Sequence, residues 1–467
     1  MKYYFIGAGG IGMANLVRYF LSQGYDVAGY DRVSTVLTSQ LEEEGARLVF
    51  EDDENLIPEE FRDREDVEVV YTPAIPADNR IITFFREGGF RMKKRAQVLG
   101  DITRSLKGIC VAGSHGKTTT SSMIAWILAQ TPESCNAFLG GILRNTGSNL
   151  VISKRSEYAV VEADEYDRSF HRLSPYIAIV TSVDPDHLDI YGDEEHYLEA
   201  FSIFTSLIQP GGALLMHTGL KLRPDLRQGV RLLTYSGTQG GDWHGENLRY
   251  REGELIFDIA GPDGEEIRDI SLGVPVEVNV DNAVAAAAAC RLAGASPEAI
   301  KRGLETFKGA KRRFEIHLRG EKDGARAVLI DDYAHSPAEI EASITSIRKL
   351  YPGKRVTVVF QPHLYTRTRD FAPEFAKALS LADETILTEI YPARELPIEG
   401  VTSEIILKGM TGKGEVVRRK DLLDLIKIRN FEILITLGAA DLDVLLPGMT
   451  EILKSPVESP SPQKGAE

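Results

Sequence analysis

The hydrophobic residues follow two spacings that alternate along the chain. Short continuous apolar runs, of strand length, are followed by longer stretches in which apolar residues recur at helical intervals. Residues 2–6 (KYYFI) form the first run. A glycine-rich stretch follows, Leu16 and Phe20 then share one helix face, and residues 25–30 form a second run that ends at Asp31. This order predicts a strand–helix–strand opening. Further strands are expected near Val70 (VEVVY) and Met92, with the first domain closing around residue 104.

Residues 108–112 (GICVA) restart the same pattern as strand, glycine-rich turn and helix. Runs at 157–164 and 176–184 predict two more strands. The interval 211–275 is rich in glycine and charge, with short alternating runs, and predicts antiparallel strands and hairpins. Asn282 to Ala293 reads as an alanine-rich helix, with Gly294 as its stop signal. Strands at 327–333, 355–361, 384–390 and 431–438, with helices between them, make a third unit. Alternation of this kind predicts parallel sheets covered by helices on both faces. The expected limits are 1–104, 105–308 and 309–454. The tail 455–467 holds almost no large apolar residue and is expected to be disordered.

Composition narrows the function. The 54 basic and 69 acidic residues leave a net charge of −15, which disfavours nucleic acid or an anionic membrane as a general partner. Local donors suffice to hold a phosphate. The three cysteines, Cys110, Cys135 and Cys290, form no C-x-x-C pair, so a disulfide framework or cysteine zinc site is not expected. There is no leader-like start and no apolar run long enough to span a bilayer. A cytoplasmic setting is the expectation.

Two glycine loops carry candidate chemistry. Gly7-Ala8-Gly9-Gly10-Ile11-Gly12 fits G-x-G-x-x-G between a predicted strand and a predicted helix, and Asp31 ends the next strand. Such glycines let the backbone approach a pyrophosphate, the helix N-terminus offers unpaired N–H groups, and the acid can accept ribose hydroxyls. NAD, FAD and UDP-sugars all fit this pattern. The second loop, Gly113-Ser114-His115-Gly116-Lys117-Thr118-Thr119, follows GICVA. It departs from G-x-x-x-x-G-K-[ST], because Val111 stands where the first glycine would be. Its N–H groups still suit phosphates, Lys117 the β/γ oxygens and Thr118 a Mg²⁺ ion. An enzyme that binds a nucleotide-linked substrate and spends ATP on it needs both loops. A dehydrogenase needs only the first, and a simple NTPase only the second.

The G-[ST]-x-G-K-T-T spacing after such an opening resembles the Mur ligases, and the likeness continues in order. Glu162-Ala163-Asp164-Glu165 resembles the family's acidic strand end, and Asp186-His187-Leu188-Asp189 its D-H-[LM]-D motif. Asn279 to Asn282 resembles H-N-x-x-N, with Val278 in place of the histidine. Arg312-Arg313-Phe314 resembles R-R-F, and the run 331–337 (DDYAHSP) resembles D-D-Y-x-H-x-P. Residues 361–370 (QPHLYTRTRD) are similar to a run of the L-alanine-adding branch.

The resemblance implies three domains: an N-terminal Rossmann-like domain for the UDP-substrate, a central P-loop ATPase-like α/β domain with antiparallel strands, and a C-terminal Rossmann-like domain for the amino acid. It implies ATP- and Mg²⁺-dependent ligation of L-alanine to UDP-N-acetylmuramate, by a monomer or weak homodimer. It casts Lys117, Glu162, His187, Arg313 and Asp332 as catalytic, and Thr118, Glu162 and His187 as metal ligands. Gly113 to Thr119, Asn279, Asn282 and Arg313 would bind ATP, and Gly7 to Gly12 with Asp31 the UDP-substrate. His335, His363, Arg367 and Arg369 would bind the amino acid. The bridging lysine of some relatives has no counterpart near Phe201, so no carbamylated lysine is expected. Rival readings are a relative that recycles a murein tripeptide, an NAD-dependent oxidoreductase, and a nucleotide-sensing protein whose loops bind without catalysis.

Overall fold

The computed structural model describes residues 1–455 except 73, 74, 77, 186, 187, 239, 252 and 394. The tail expected to be disordered lies outside the described residues, apart from Ser455.

Three sheets give a three-domain α/β fold. The first contains β1 (Lys2–Ile6), β2 (Val27–Tyr30), β3 (Arg47–Val49), β4 (Val67–Tyr71) and β5 (Arg91–Lys94), in the order β3-β2-β1-β4-β5. All of its pairs are parallel. Residues Tyr4, Phe5 and Ile6 of β1 are fully buried, as a strand covered on both faces requires. The Ile11–Ser22 helix crosses back over the sheet and buries Met13, Leu16, Val17 and Phe20, which recur at helical spacing.

The second sheet is built on β6 (Lys107–Ala112), β7 (Asn136–Leu143), β8 (Ser148–Val151), β9 (Tyr158–Glu162), β10 (Ile177–Val180), β11 (Ala213–His217), β12 (Arg231–Ser236), β13 (Trp243–Arg251), β14 (Glu254–Ala260) and β15 (Glu266–Ser271). Its order is β15-β14-β13-β12-β11-β10-β6-β9-β7-β8. The antiparallel reading of 211–275 is corrected in its first half: β11 pairs in parallel with both β10 and β12, and β12 in parallel with β13. The segment 218–230 between β11 and β12 is long enough to return the chain in the same direction, which a tight hairpin turn is not. The alanine-rich helix starts earlier than the pattern suggested, at Val278, and runs to Leu292.

The third sheet contains β16 (Glu315–Arg319), β17 (Val328–Asp332), β18 (Val356–Phe360), β19 (Glu384–Leu387), β20 (Lys413–Val416) and β21 (Ile433–Leu437), ordered β16-β17-β21-β18-β19-β20. Its edge strand β16 runs antiparallel to β17, and the other pairs among the described residues are parallel.

The chain forms two compact units. One comprises Met1–Glu246, Asp258–Ile270 and Val280–Phe307; the other comprises Asn247–Phe257, Ser271–Asn279 and the described residues from Lys308 onward. In the first unit one apolar core joins the N-terminal sheet to the central one. Tyr19 meets Phe138 edge to face, with ring centres 5.3 Å apart, and Asn15 Nδ2 donates to the Asn149 carbonyl at 3.1 Å. All three cysteines are free and buried. Among the described residues no helix is long and apolar enough to cross a membrane.

Candidate active site

The second glycine loop leaves β6 at Ala112 and enters the Lys117–Ala129 helix through Gly116. Gly113 has φ 142°, and a Cβ there would lie 2.1 Å from Thr181 Oγ1, so only glycine fits. Gly116 caps the helix at φ 82°, and its first turn carries no acidic side chain. Neighbouring strand ends fix the loop from outside. Ser182 Oγ accepts the His115 N–H at 2.8 Å, and Ser114 Oγ donates to the Asp184 carbonyl at 2.6 Å while lying 2.9 Å from Tyr197 Oη. The His115 ring is exposed.

Lys117 is held by its own loop. Its Nζ donates to both carboxylate oxygens of Glu165, at 2.7 and 2.8 Å, and to the Gly113 carbonyl at 2.6 Å. Glu165 is buried at 1% exposure, so this lysine is its counter-charge. The sequence places Glu165 in the run that resembles the family's acidic strand end, without assigning it a role of its own. The available signal was a second carboxylate three residues beyond Glu162, at the same strand end.

Thr118 Oγ1 donates to Glu162 Oε2 at 3.0 Å, and Glu162 Oε1 accepts from the Gly140 N–H at 2.7 Å and Ser121 Oγ at 3.2 Å. Burial pushes the Glu162 carboxyl above the usual carboxylate range, against those hydrogen bonds and the nearby Lys117 charge. A half-buried carboxylate touching a hydroxyl at a phosphate-type loop suits a hard cation. Mg²⁺ takes one or two protein oxygens and completes its shell with water and phosphate. His187 and Asp186 lie outside the described residues, as do the side chains of Leu188 and Asp189. Among the described residues no group of three or more His, Cys, Asp or Glu could hold a metal.

Asn282 is buried behind the loop. Its Oδ1 accepts from Thr120 Oγ1 at 3.0 Å and would lie 2.7 Å from a Cβ on Gly116. Asn279 Nδ2 donates to the Val274 carbonyl at 3.2 Å, and Val278, in the place of the family histidine, is 58% exposed. Phe201 is buried against Phe170 and Tyr197.

The first loop turns at Gly7, whose N–H and that of Ala8 both donate to the Tyr30 carbonyl, and the helix begins at Ile11 with no side-chain cap. Asp31 does not stand free for a ribose. Its Oδ2 accepts the Gly9 N–H at 2.7 Å and its Oδ1 the Val33 N–H at 3.2 Å, so it braces the loop.

The C-terminal unit separates residues that the sequence set side by side. Arg312 is spent on structure: its guanidinium donates to the Ala440 and Gly438 carbonyls at 2.6 Å each and lies 3.4 Å from Asp331. The Arg313 guanidinium lies 5.5 Å from the Tyr333 ring centre and makes no hydrogen bond or ion pair among the described residues. Burial raises the Asp332 carboxyl, while Ser343 Oγ, the Phe314 N–H and the Arg313 charge oppose the shift.

His363 stacks on Tyr391 with ring centres 5.8 Å apart, and its buried Nδ1 has no hydrogen-bond partner among the described residues. Burial, then the Arg367 and His335 charges, depress its pKa, so the ring is neutral and can accept. The half-buried Arg367 guanidinium also lacks a partner among the described residues. By contrast, Arg369 is exposed and donates to its neighbour Asp370 at 2.7 Å. His335 Nδ1 lies 3.1 Å from the Tyr333 carbonyl. His363, His335 and Arg367 therefore form one cluster at the carboxyl end of β17 and β18, and Arg369 faces solvent beside it.

Two cavities of about 720 Å³ each open in the first unit, one along the Ile11–Ser22 helix and one between β4–β5 and residues 167–172. Neither is lined by Lys117 or Glu162.

Family patterns match nearly the whole chain: the Mur ligase family catalytic domain over residues 2–107, the Mur ligase middle domain over 111–290, and the Mur ligase glutamate ligase domain over 312–439. The chain belongs to the Mur ligase family. Among its relatives in that family, the UDP-N-acetylmuramate–L-alanine ligase of Parabacteroides distasonis is 52% identical over 458 residues, covering 98% of each chain. The protein of the same description from Phocaeicola vulgatus is 53% identical over 452 residues, covering 96% of this chain and 97% of its own. The crystal structure of the UDP-N-acetylmuramate–alanine ligase of Thermotoga maritima superposes with a TM-score of 0.75 at 27% identity, covering 97% of this chain and 98% of the other. As a Mur ligase, the chain forms a C–N bond, which leaves neither the oxidoreductase nor the nucleotide-sensing reading in place.

Proposed function

We propose that this Mur ligase joins L-alanine to the lactyl carboxylate of UDP-N-acetylmuramate, with ATP as the second substrate. The carrying observation is the pairing of two glycine-rich strand-to-helix loops on one chain with full-length identity above 50% to ligases of that description. The proposed domain limits are 1–104, 105–308 and 309–454.

The reaction brings two anions together, so neutralising charge and aligning groups matter more than moving protons. A carboxylate oxygen attacks the γ-phosphorus and ADP leaves. The neutral alanine amine then attacks the acyl carbon, and phosphate departs with the bonding pair as the nitrogen loses its proton. In this reading the loop N–H groups of Gly113 to Thr119 cradle the triphosphate, and Lys117 moves from Glu165 to the β/γ oxygens. Thr118 and Glu162 would hold a Mg²⁺, with His187 proposed alongside; bound there, the ion neutralises phosphate charge. Arg367 suits the alanine carboxylate because a guanidinium binds a carboxylate through two parallel donors. The His363 ring, beside Arg367, can accept from the amine. Arg313 and Asp332 are proposed as a coupled pair, and Asn279 and Asn282 as nucleotide ligands.

Phosphate release with UDP-N-acetylmuramate, ATP, Mg²⁺ and either L-alanine or the murein tripeptide tests the reading. Turnover with L-alanine is expected to exceed that with tripeptide. Faster turnover with the tripeptide overturns the assignment.

A further inference from the structure

One wall of the first glycine loop is a guanidinium with no hydrogen-bond or ion-pair partner among the described residues. Ile6, Tyr30, Tyr71 and Lys94 occupy one row of the parallel N-terminal sheet. The next residues, Gly7, Asp31, Thr72 and Arg95, therefore open onto the same carboxyl-terminal edge, where ligands of such sheets bind. Arg95 begins the Arg95–Ser105 helix, yet its side chain reaches the loop. A Cβ placed on Gly12 would come within 2.8 Å of Arg95 Nη1 and 3.2 Å of its Cζ.

Two cations of β5 and the helix that follows it, by contrast, are paired. Lys93 bonds Asp101 and Glu68, at 2.8 and 3.0 Å, and Arg104 bonds Asp101 at 2.6 Å. Arg95 is half-buried, and among the described residues its side chain makes no hydrogen bond or ion pair. A guanidinium carries five donors, and leaving them unspent in a partly desolvated position is costly unless an anion arrives. The loop itself holds an anion, Asp31, bound to the Gly9 N–H. Backbone N–H groups would have to hold a diphosphate against that charge, and Arg95 supplies what they lack.

We propose that Arg95 is a diphosphate-binding residue, its fork closing on the UDP moiety from the side opposite the loop N–H groups. The inference rests on the UDP-substrate reading above. It also bears on Gly12: a side chain there would require the guanidinium to shift.

Calorimetric titration of the full chain with UDP and with ADP tests it, using wild type, Arg95→Met and Arg95→Lys. Arg95→Met keeps most of the apolar stem and is expected to weaken UDP about 10- to 100-fold, the loss of one charge-assisted contact. ADP affinity should stay as in wild type, because the second loop is untouched. Arg95→Lys should recover only part of the loss, since lysine is a point charge rather than a fork. Unchanged UDP affinity in Arg95→Met, or UDP and ADP weakening together, overturns the assignment. A wild-type chain that does not bind UDP overturns the UDP reading and this assignment with it.

Discussion

Lys117→Ala is expected to lower the ligation rate by about 10³-fold or more while leaving UDP affinity unchanged. The rate effect follows from the loop. Only Lys117 can carry a positive charge from the start of that helix to the phosphates, and the reaction joins two anions. The same substitution has a second consequence that a surface lysine would not. Glu165 is 1% exposed and Lys117 donates to both of its oxygens, so removing the lysine strands a buried carboxylate. Breaking a buried pair on one side costs about 3–5 kcal/mol. Lys117→Ala should therefore also melt earlier. Adding Glu165→Gln removes the stranded charge and is expected to restore most of the melting temperature but none of the activity. Stability and rate restored together would mean that Lys117 serves the fold alone.

Glu162→Gln should split the two properties the other way. The amide keeps the size of the side chain and one carbonyl oxygen for the Gly140 N–H, but it loses the charge proposed to face Mg²⁺. Activity is expected to fall about 10²- to 10³-fold, the scale of losing one preorganised electrostatic contact. Stability should not fall. Burial raises the Glu162 pKa, so the folded state holds this proton more tightly than the unfolded chain. The group's contribution is complete below the ordinary carboxylate pKa and is lost as pH rises through the raised folded value. Wild type thus carries a penalty at neutral pH that the glutamine lacks. Melting curves without metal should show Glu162→Gln gaining on wild type as pH rises from acid to neutral. A constant difference across that range would contradict the burial argument.

The parts of this fold that local pattern controls were legible in the chain. The KYYFI run became β1 at its expected limits, and VEVVY became β4. The short, polar edge strands β3, β16 and β20 were not foreseen, because partial burial leaves little hydrophobic period to read. The parallel pairing of β11 and β12 was also missed. Glycine and charge in 211–275 suggest turns, but strand direction depends on the crossover and not on the strand's own residues.

The candidate site divides along similar lines. Loop glycines and Lys117 are visible from spacing, even with Val111 displacing the standard first glycine. What each charge is spent on is visible only in three dimensions. Adjacent Arg312 and Arg313 look alike in sequence, yet one ties the backbone at Gly438 and Ala440 while the guanidinium of the other makes no hydrogen bond among the described residues. Arg367 and Arg369 divide the same way. The pairing of Glu165 with Lys117 and the position of Arg95 were not legible, because their significance lies in partners far along the chain, or in the lack of one among the described residues.

The central claim is that the phosphoryl group of ATP passes to the sugar's carboxylate before the amide forms. Ligation with UDP-N-acetylmuramate carrying ¹⁸O in that carboxylate tests it directly. The released inorganic phosphate should contain one ¹⁸O per turnover, because a carboxylate oxygen leaves with the phosphorus. Phosphate free of label, formed alongside the L-alanyl product, would contradict the account.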